Sequence, residues 1–361
     1  MSQVLNMEVQ VVNWRCIKDV ELELSRLNVF MGRNSTGKSS LAYAIYFASK
    51  SSEQRPLTPD DLLMQLYGYG FDMLARIADD EPQFPISIKI GDQELVVRPK
   101  QGEAGKLEVI RPRESPWVDE YLLPSRRIDY LHLLMFMSKL ARAATGERAR
   151  TRPLTGALAG IISMLGGFLE IFKELPIIPP FGRFAMDLTR ALGVPIEPIS
   201  GEIHDVGIYI VSVPYVLQLV DFTFKDPFTK LMLPLELSPD GIVDLSLFDI
   251  MTARVPEGSL IVIEEPEIHK NPVMVMDFAE QMARRALERD LTIVMTTHSD
   301  LIPSALAGLV GHDFLKPDDL KVYYLSRTAE KPWTEVTELE IYEDGTFEGF
   351  PDAEEVVSRL F

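Results

Sequence analysis

The sequence predicts an α/β fold: a mixed, largely parallel sheet, an antiparallel subdomain beside it, and a mainly helical insertion between two halves. Three observations carry this. Near the start, the apolar run LNVFM (residues 27–31) enters a glycine-bearing loop that opens into a helical pattern. In the last third, two short apolar runs at 260–263 and 291–295 flank a segment of helical period. Strand–helix–strand order implies parallel neighbours and hence an α/β sheet. From about residue 115 to 200 the texture turns helical, setting that stretch apart.

Taken in order, VELEL (20–24) alternates apolar and acidic side chains, as a half-exposed strand does. After LNVFM, a helix is expected from Ser39, with Leu41, Ala44, Ile45 and Ala48 on one face. PISIKI and ELVVRP alternate again and predict an antiparallel hairpin across Gly91-Asp92. DYLHLLMFMSKLARA (129–143) has helical period. Strand-like runs resume at GIYIVSV and reach LMLPLEL. Pro272 suits the first position of a helix that places Val275, Phe278, Ala279, Met282 and Ala286 on one face. KVYYL and EVTELEIYEDGTF are expected to be edge strands. The expected domains are 1–114, 115–200 (mainly helical insertion) and 201–361.

Chemistry concentrates at three places. GRNSTGKS (32–39) sits between strand and helix, where successive backbone N–H groups can wrap an anion. There Lys38 reaches the β- and γ-phosphates of a nucleotide and the Ser39 hydroxyl can hold Mg²⁺. The strand at 260–263 ends in Glu264 and Glu265, at the sheet edge where α/β proteins bind ligands. Neighbouring strand residues face opposite ways, so Glu264 can serve the Mg²⁺ shell while Glu265 polarises an attacking water. His298 follows the next strand in TTHSD. It either positions the water or the γ-phosphate, or is a satisfied structural histidine.

GRNSTGKS, LIVIEEPEIH and MTTHSD together resemble the ABC-type ATPase head of the SMC, RecF and OLD-like proteins, over about residues 1–50 and 230–345. NWRCIKDVELELSRLNVFMGRNSTGKSS is especially similar. The resemblance implies a P-loop NTPase fold of ABC-head type. It makes Gly32, Arg33, Asn34, Ser35, Thr36, Gly37, Lys38, Ser39 and Ser40 the Walker A loop and Glu264 the Walker B acid, with Glu265 the catalytic glutamate and His298 the switch histidine. Residues 266–272 stand where the D-loop sits. In ELSPDGIVDL, Leu237, Ser238 and Gly241 are the counterpart of the signature that caps the partner's γ-phosphate. This element carries an extra proline and lacks the following glutamine, and a plain Ser-Pro-Asp-Gly turn explains it nearly as well. Gln83 is a poor match for a Q-loop glutamine.

The resemblance therefore implies ATP and Mg²⁺ as ligands, hydrolysis of ATP, and a homodimer of heads, with a role in DNA maintenance or defence against foreign DNA. A second reading is a slowly hydrolysing, nucleotide-gated adaptor whose helical insertion holds an effector protein. No long coiled coil is expected, because sustained heptads are absent. Too few residues follow His298 for a TOPRIM nuclease domain.

Charge bears on partners. The net charge of −18 opposes non-specific attraction to nucleic acid. Within KLARAATGERARTR (139–152), Lys139, Arg142, Arg148, Arg150 and Arg152 face Glu147 alone, with Arg126 and Arg127 just upstream. That stretch either contacts DNA or an acidic partner, or is a solvated face. One cysteine, Cys16, excludes an internal disulfide, and the start of the chain has no signal-peptide pattern, so the expected location is cytoplasmic. LTGALAGIISMLGGFL (154–169) is uncharged but shorter than the ~20 residues a membrane helix needs, so a buried or dimer-facing helix is expected.

Overall fold

The computed structural model describes residues 6–145, 180–192, 199–200, 206–213, 217–226 and 228–346. The chain divides into two compact units. The first comprises Met1–Leu63, Tyr69–Ser125 and Pro256–Phe361, and the second comprises Met64–Gly68 and Arg126–Val255.

The first unit is built on two larger sheets. β1 (Met7–Trp14) and β2 (Ile17–Leu24) form a hairpin whose alternating burial matches the alternating sequence. β3 (Leu27–Met31) is buried at every residue, as a strand covered on both faces must be. It leads through the glycine loop into α1 (Lys38–Lys50). α2 (Pro59–Leu66) follows, and the boundary between units falls inside it. A short two-stranded ribbon, β4 (Ile77–Ala78) and β5 (Glu81–Pro82), precedes the hairpin of β6 (Ile86–Ile90) and β7 (Gln93–Pro99), which turns at Gly91-Asp92 as the sequence predicts. β8 (Leu107–Ile110) completes an antiparallel sheet in the order β2-β1-β6-β7-β8.

The second sheet of this unit holds β9 (Glu120–Leu123) and, numbering on, β14 (Leu260–Glu264), β15 (Thr292–Thr297), β16 (Leu320–Ser326) and β17 (Glu335–Leu339). Its order is β17-β16-β3-β15-β14-β9, parallel throughout except for β17. β3 thus lies between β15 and β16. KVYYL, expected at an edge, is the interior strand β16, paired with β3 on one side and β17 on the other. Its buried residues Val322 to Leu325 show why: both faces are covered, so period-two alternation is absent.

α1 contacts β1 and β6 of the antiparallel sheet and β3, β9, β14 and β15 of the other. One apolar face was expected; burial runs almost all round the helix instead, with Ser39 the exception. A helix wedged between two sheets has no solvent face. Its last residue, Lys50, is 2% exposed and donates to Asp119 Oδ1 at 2.8 Å and to the Glu120 carbonyl at 2.7 Å, pinning the helix end to β9.

In the second unit, α3 (Arg127–Thr145), α4 (Phe181–Leu192) and α5 (Asp240–Arg254) pack on one another, and α3 packs on β12. β10 (Ile199–Ser200), β11 (Val206–Val213), β12 (Leu217–Lys225) and β13 (Met232–Pro234) form an antiparallel sheet in that order. Back in the first unit, α6 (Pro272–Glu288) starts with Pro272 and is capped by the Asn271 side chain, which accepts from Met274 N. α7 (Leu301–Gly311) packs on α6 and on β16. Among the described residues no helix is long and apolar enough to cross a membrane; residues 154–169 lie outside the described residues.

Arg127, which the sequence places just upstream of the basic stretch 139–152, is buried. Its Nε and Nη2 donate to the two carboxylate oxygens of Asp244 at 2.6 and 2.7 Å, and its guanidinium stacks over Phe248. Both groups are buried, so losing one partner costs more than it does at an exposed pair. Asp244→Ala should destabilise the second unit by about 3–5 kcal/mol in urea unfolding; a loss below about 1 kcal/mol would show the pair to be as weak as an exposed one.

Candidate functional site

Parallel strands bring their carboxyl ends to one edge, and three neighbours supply the site. β3 ends in the glycine loop, β14 ends in Glu264, and β15 ends in Thr297, with His298 next. Two glycines make the loop possible. Gly32 has φ +140° and Gly37 φ +104°, values that side-chain-bearing residues rarely adopt. A Cβ at Gly32 would overlap the Leu325 carbonyl oxygen on β16, and one at Gly37 would lie 2.9 Å from Cys16 Sγ and overlap Thr334 Oγ1.

Lys38 is 5% exposed and folds back along the loop. Its ammonium donates to the Gly32 carbonyl at 2.9 Å, the Arg33 carbonyl at 2.7 Å and His298 Nδ1 at 3.1 Å. A lysine ammonium has no acceptor capacity, so Nδ1 of His298 is the acceptor and its proton sits on Nε2. Nε2 then donates to Glu265 Oε1 at 3.0 Å. Lys38, His298 and Glu265 therefore form one continuous chain of hydrogen bonds. Burial pushes the Lys38 ammonium down to about 8, against the opposing pull of the Glu265 and Glu267 carboxylates.

Glu264 and Glu265 part company, though not by strand alternation. Glu264 is the last strand residue and is buried; its Oε2 accepts from Tyr43 Oη at 2.8 Å and from Ser125 N at 3.3 Å. At Glu265 the backbone turns into the left-handed region, φ +45°, and swings that carboxylate toward His298. The turn continues through Pro266–His269 and ends at the Asn271 cap.

Lys38, His298 and Glu265 face a cavity of ≈ 780 Å³, whose described wall does not include Glu264 or Gly32. Asn34, Ser35, Gly37, Lys38, Ser39, Ser40, Glu265 and His298 line it. Arg33 and Thr36 support the loop instead: the Thr36 hydroxyl donates to the Arg33 carbonyl at 2.9 Å. The sequence reading missed the other walls: Arg15, Cys16, Met73, Arg76, Ile77, Arg327 and Trp333 among them. Arg327 also braces the loop, donating to the Ser35 carbonyl at 2.9 Å. Four cations, Arg15, Lys38, Arg76 and Arg327, thus surround a space with one carboxylate, Glu265, on its described wall. In a chain of net charge −18 this is a local anion-attracting field.

A triphosphate fits this donor set: a glycine cradle, the N-terminus of α1, and buried and exposed cations. The described residues hold no group of three or more His, Cys, Asp or Glu side chains able to bind a metal alone. Mg²⁺ takes one or two protein ligands beside phosphate oxygens and water; the Ser39 hydroxyl and the Glu264 carboxylate have the chemistry to supply them.

Ser238 and Gly241 belong to the second unit. Ser238 does not cap α5: it is 8% exposed and its hydroxyl donates to the Pro234 carbonyl at 2.9 Å. Pro239 is the cap position and Gly241 is buried in the first turn. Gln83 stays local, donating to the Ala78 and Glu81 carbonyls within the β4–β5 turn. The basic residues Arg148, Arg150 and Arg152 lie outside the described residues.

Strand order and glycine loop together give the chain an α/β fold of the P-loop type. More particularly, residues 7–117, less than half of the chain, match the sequence model of the AAA ATPase domain family. Curated proteins gave no match. Similar solved structures include an SMC head bound to the C-terminal winged-helix domain of ScpA, 14% identical over 92% of this chain and 98% of that one, TM-score 0.48. An SMC head domain with an extended coiled coil, bound to the C-terminal domain of ScpA from Pyrococcus furiosus, is 13% identical over 98% of each chain, TM-score 0.47. The SMC head domain from Thermotoga maritima is 8% identical over 93% of this chain and all of that one, TM-score 0.44.

Gly32→Ala tests the cradle. A methyl group there meets backbone of a paired strand, which cannot yield. The variant should lose about 1–3 kcal/mol of stability, read by thermal unfolding; an unchanged midpoint would mean that the loop has slack.

Proposed function

We propose that the protein binds ATP with Mg²⁺ in this cavity and hydrolyses it. The observation that supports the reading best is the hydrogen-bonded chain from Lys38 through His298 to Glu265, at the mouth of a glycine loop. On binding, Lys38 would exchange loop carbonyls for β- and γ-phosphate oxygens, and the loop amides from Gly32 to Ser40 would hold the remaining charge. Bound Mg²⁺, on Ser39 and Glu264, would neutralise phosphate charge.

Glu265 would accept a proton from the attacking water while His298 holds its carboxylate in place. The single Nε2 proton of His298 is committed to Glu265, so His298 would act by aiming the base at that water. Little covalent chemistry is asked of the protein; orientation and charge supply the rate.

Two copies would associate around ATP, with the Ser238–Gly241 region of each closing over the other's γ-phosphate, and hydrolysis would release them. DNA, if engaged, would meet the basic stretch 139–152, in keeping with a role in DNA maintenance or defence.

Lys38→Ala should abolish ATP binding in calorimetry, and undiminished affinity would refute the cradle. Glu265→Gln should bind ATP, lose turnover by about 100-fold or more, and accumulate as a dimer in light scattering. Parental turnover in that variant would remove Glu265 from the role of base. Running the parent with and without DNA decides whether DNA drives the cycle: an accelerated rate supports it, an unchanged rate removes it.

A further inference from the structure

Glu267 drew no attention in the sequence, where it reads as one more acid in EEPEIH. Its surroundings set it apart. Oε1 accepts two hydrogen bonds, from Thr297 Oγ1 at 2.6 Å and from the backbone N–H of His298 at 3.2 Å. Thr297 is fully buried, and pairs in register with Met31, the residue before Gly32. The carboxylate therefore clamps the end of β15 where His298 leaves it, beside the strand that delivers the glycine loop.

The turn that carries Glu267 is itself held. Ile268 N donates to the Glu265 carbonyl and Lys270 N to the Glu267 carbonyl, between left-handed residues Glu265 and His269 (φ +45° and +64°). A non-glycine residue in that region costs energy, and such costs concentrate at functional sites. The second oxygen, Oε2, is buried and has no hydrogen-bond partner among the described residues. Glu267 is half-buried, and a carboxylate with one covered, unsatisfied oxygen is a poor stabiliser, since desolvation of that oxygen offsets the bonds made by the other. A threonine or asparagine could tie this turn at less cost.

We propose that Glu267 is a positioning residue for the nucleotide chemistry: by clamping Thr297 and the His298 backbone it fixes the imidazole so that it spans Lys38 and Glu265. The inference rests on the ATPase reading above and deepens it. Glu267 touches neither nucleotide nor water in this role; it acts through His298. Without the clamp the ring has other rotamers open to it, and Glu265 loses the donor that aims its carboxylate. Its charge also opposes the effect of burial on Lys38.

The test compares full-length parent, Glu267→Ala and Glu267→Gln. The glutamine keeps an acceptor oxygen for both hydrogen bonds. Three readouts are needed: ATP affinity by calorimetry, steady-state kcat, and the imidazole nitrogen shifts of His298 by NMR, assigned against His298→Gln. Glu267→Ala should lower kcat about ten-fold or more with affinity within about two-fold. It should move His298 from the Nε2–H tautomer toward averaged shifts, and Glu267→Gln should restore both. An unaltered kcat and tautomer in Glu267→Ala would overturn the proposal. So would a joint fall of kcat, affinity and thermal midpoint that glutamine does not rescue, the signature of a merely structural tie. If the parent itself neither binds nor hydrolyses ATP, the ATPase reading fails; the His298 tautomer still judges Glu267, and an identical tautomer in Glu267→Ala overturns the clamp.

Discussion

A lysine ammonium carries three protons, and Lys38 commits all three, to the Gly32 carbonyl, the Arg33 carbonyl and His298 Nδ1. That single group ties the loop after β3 to the end of β15, and through His298 to Glu265 beyond β14. Everything else in the first unit serves to hold those three strand ends still. β3 is central and parallel to both neighbours, so its loop cannot shift without disturbing β15 and β16. α1 is gripped between two sheets, with Lys50 anchored to β9 at its far end. The helix whose N-terminus faces the cavity is thereby held at its far end and along its length, and a preorganised dipole needs no reorganisation when charge arrives.

Electrostatics follow the same logic. A chain of net charge −18 would repel a triphosphate at long range. The cavity overrides this locally with Arg15, Lys38, Arg76 and Arg327, drawn from stretches remote in sequence. Burial lowers the proton affinity of Lys38, an effect that Glu265 and Glu267 partly counter. The acids near the cavity therefore steady the cation as well as engaging His298.

Much of this was legible in the sequence, for a physical reason. LNVFM, the loop and α1 form a local strand–loop–helix unit, and the hairpin at 86–99, the strand before Glu264 and the capped helix at Pro272 are local too. Such elements declare themselves by period and by turn residues. What failed was non-local. EYLL is four buried residues without alternation, so nothing marked it as the β9 strand of the central sheet. KVYYL reads as an edge until its second neighbour is known. Arg15, Arg76 and Arg327 sit outside the glycine loop and converge only through topology. Ser-Pro-Asp-Gly reads as a helix-opening turn, and only the structure shows that the Ser238 hydroxyl bonds the Pro234 carbonyl. Glu267 was hidden by the two acids before it, since only the left-handed turn at Glu265 reveals that the third carboxylate returns to the sheet.

The claim beneath all of this is that loop, acids and histidine meet around one triphosphate. A crystal structure of the Glu265→Gln variant with ATP and Mg²⁺ tests it most directly. The γ-phosphate should lie within hydrogen-bonding reach of the Lys38 ammonium, with residue 265 and His298 on its outer side and Ser39 beside the metal. A triphosphate seated elsewhere, or one that leaves residue 265 and His298 facing solvent, would contradict the account.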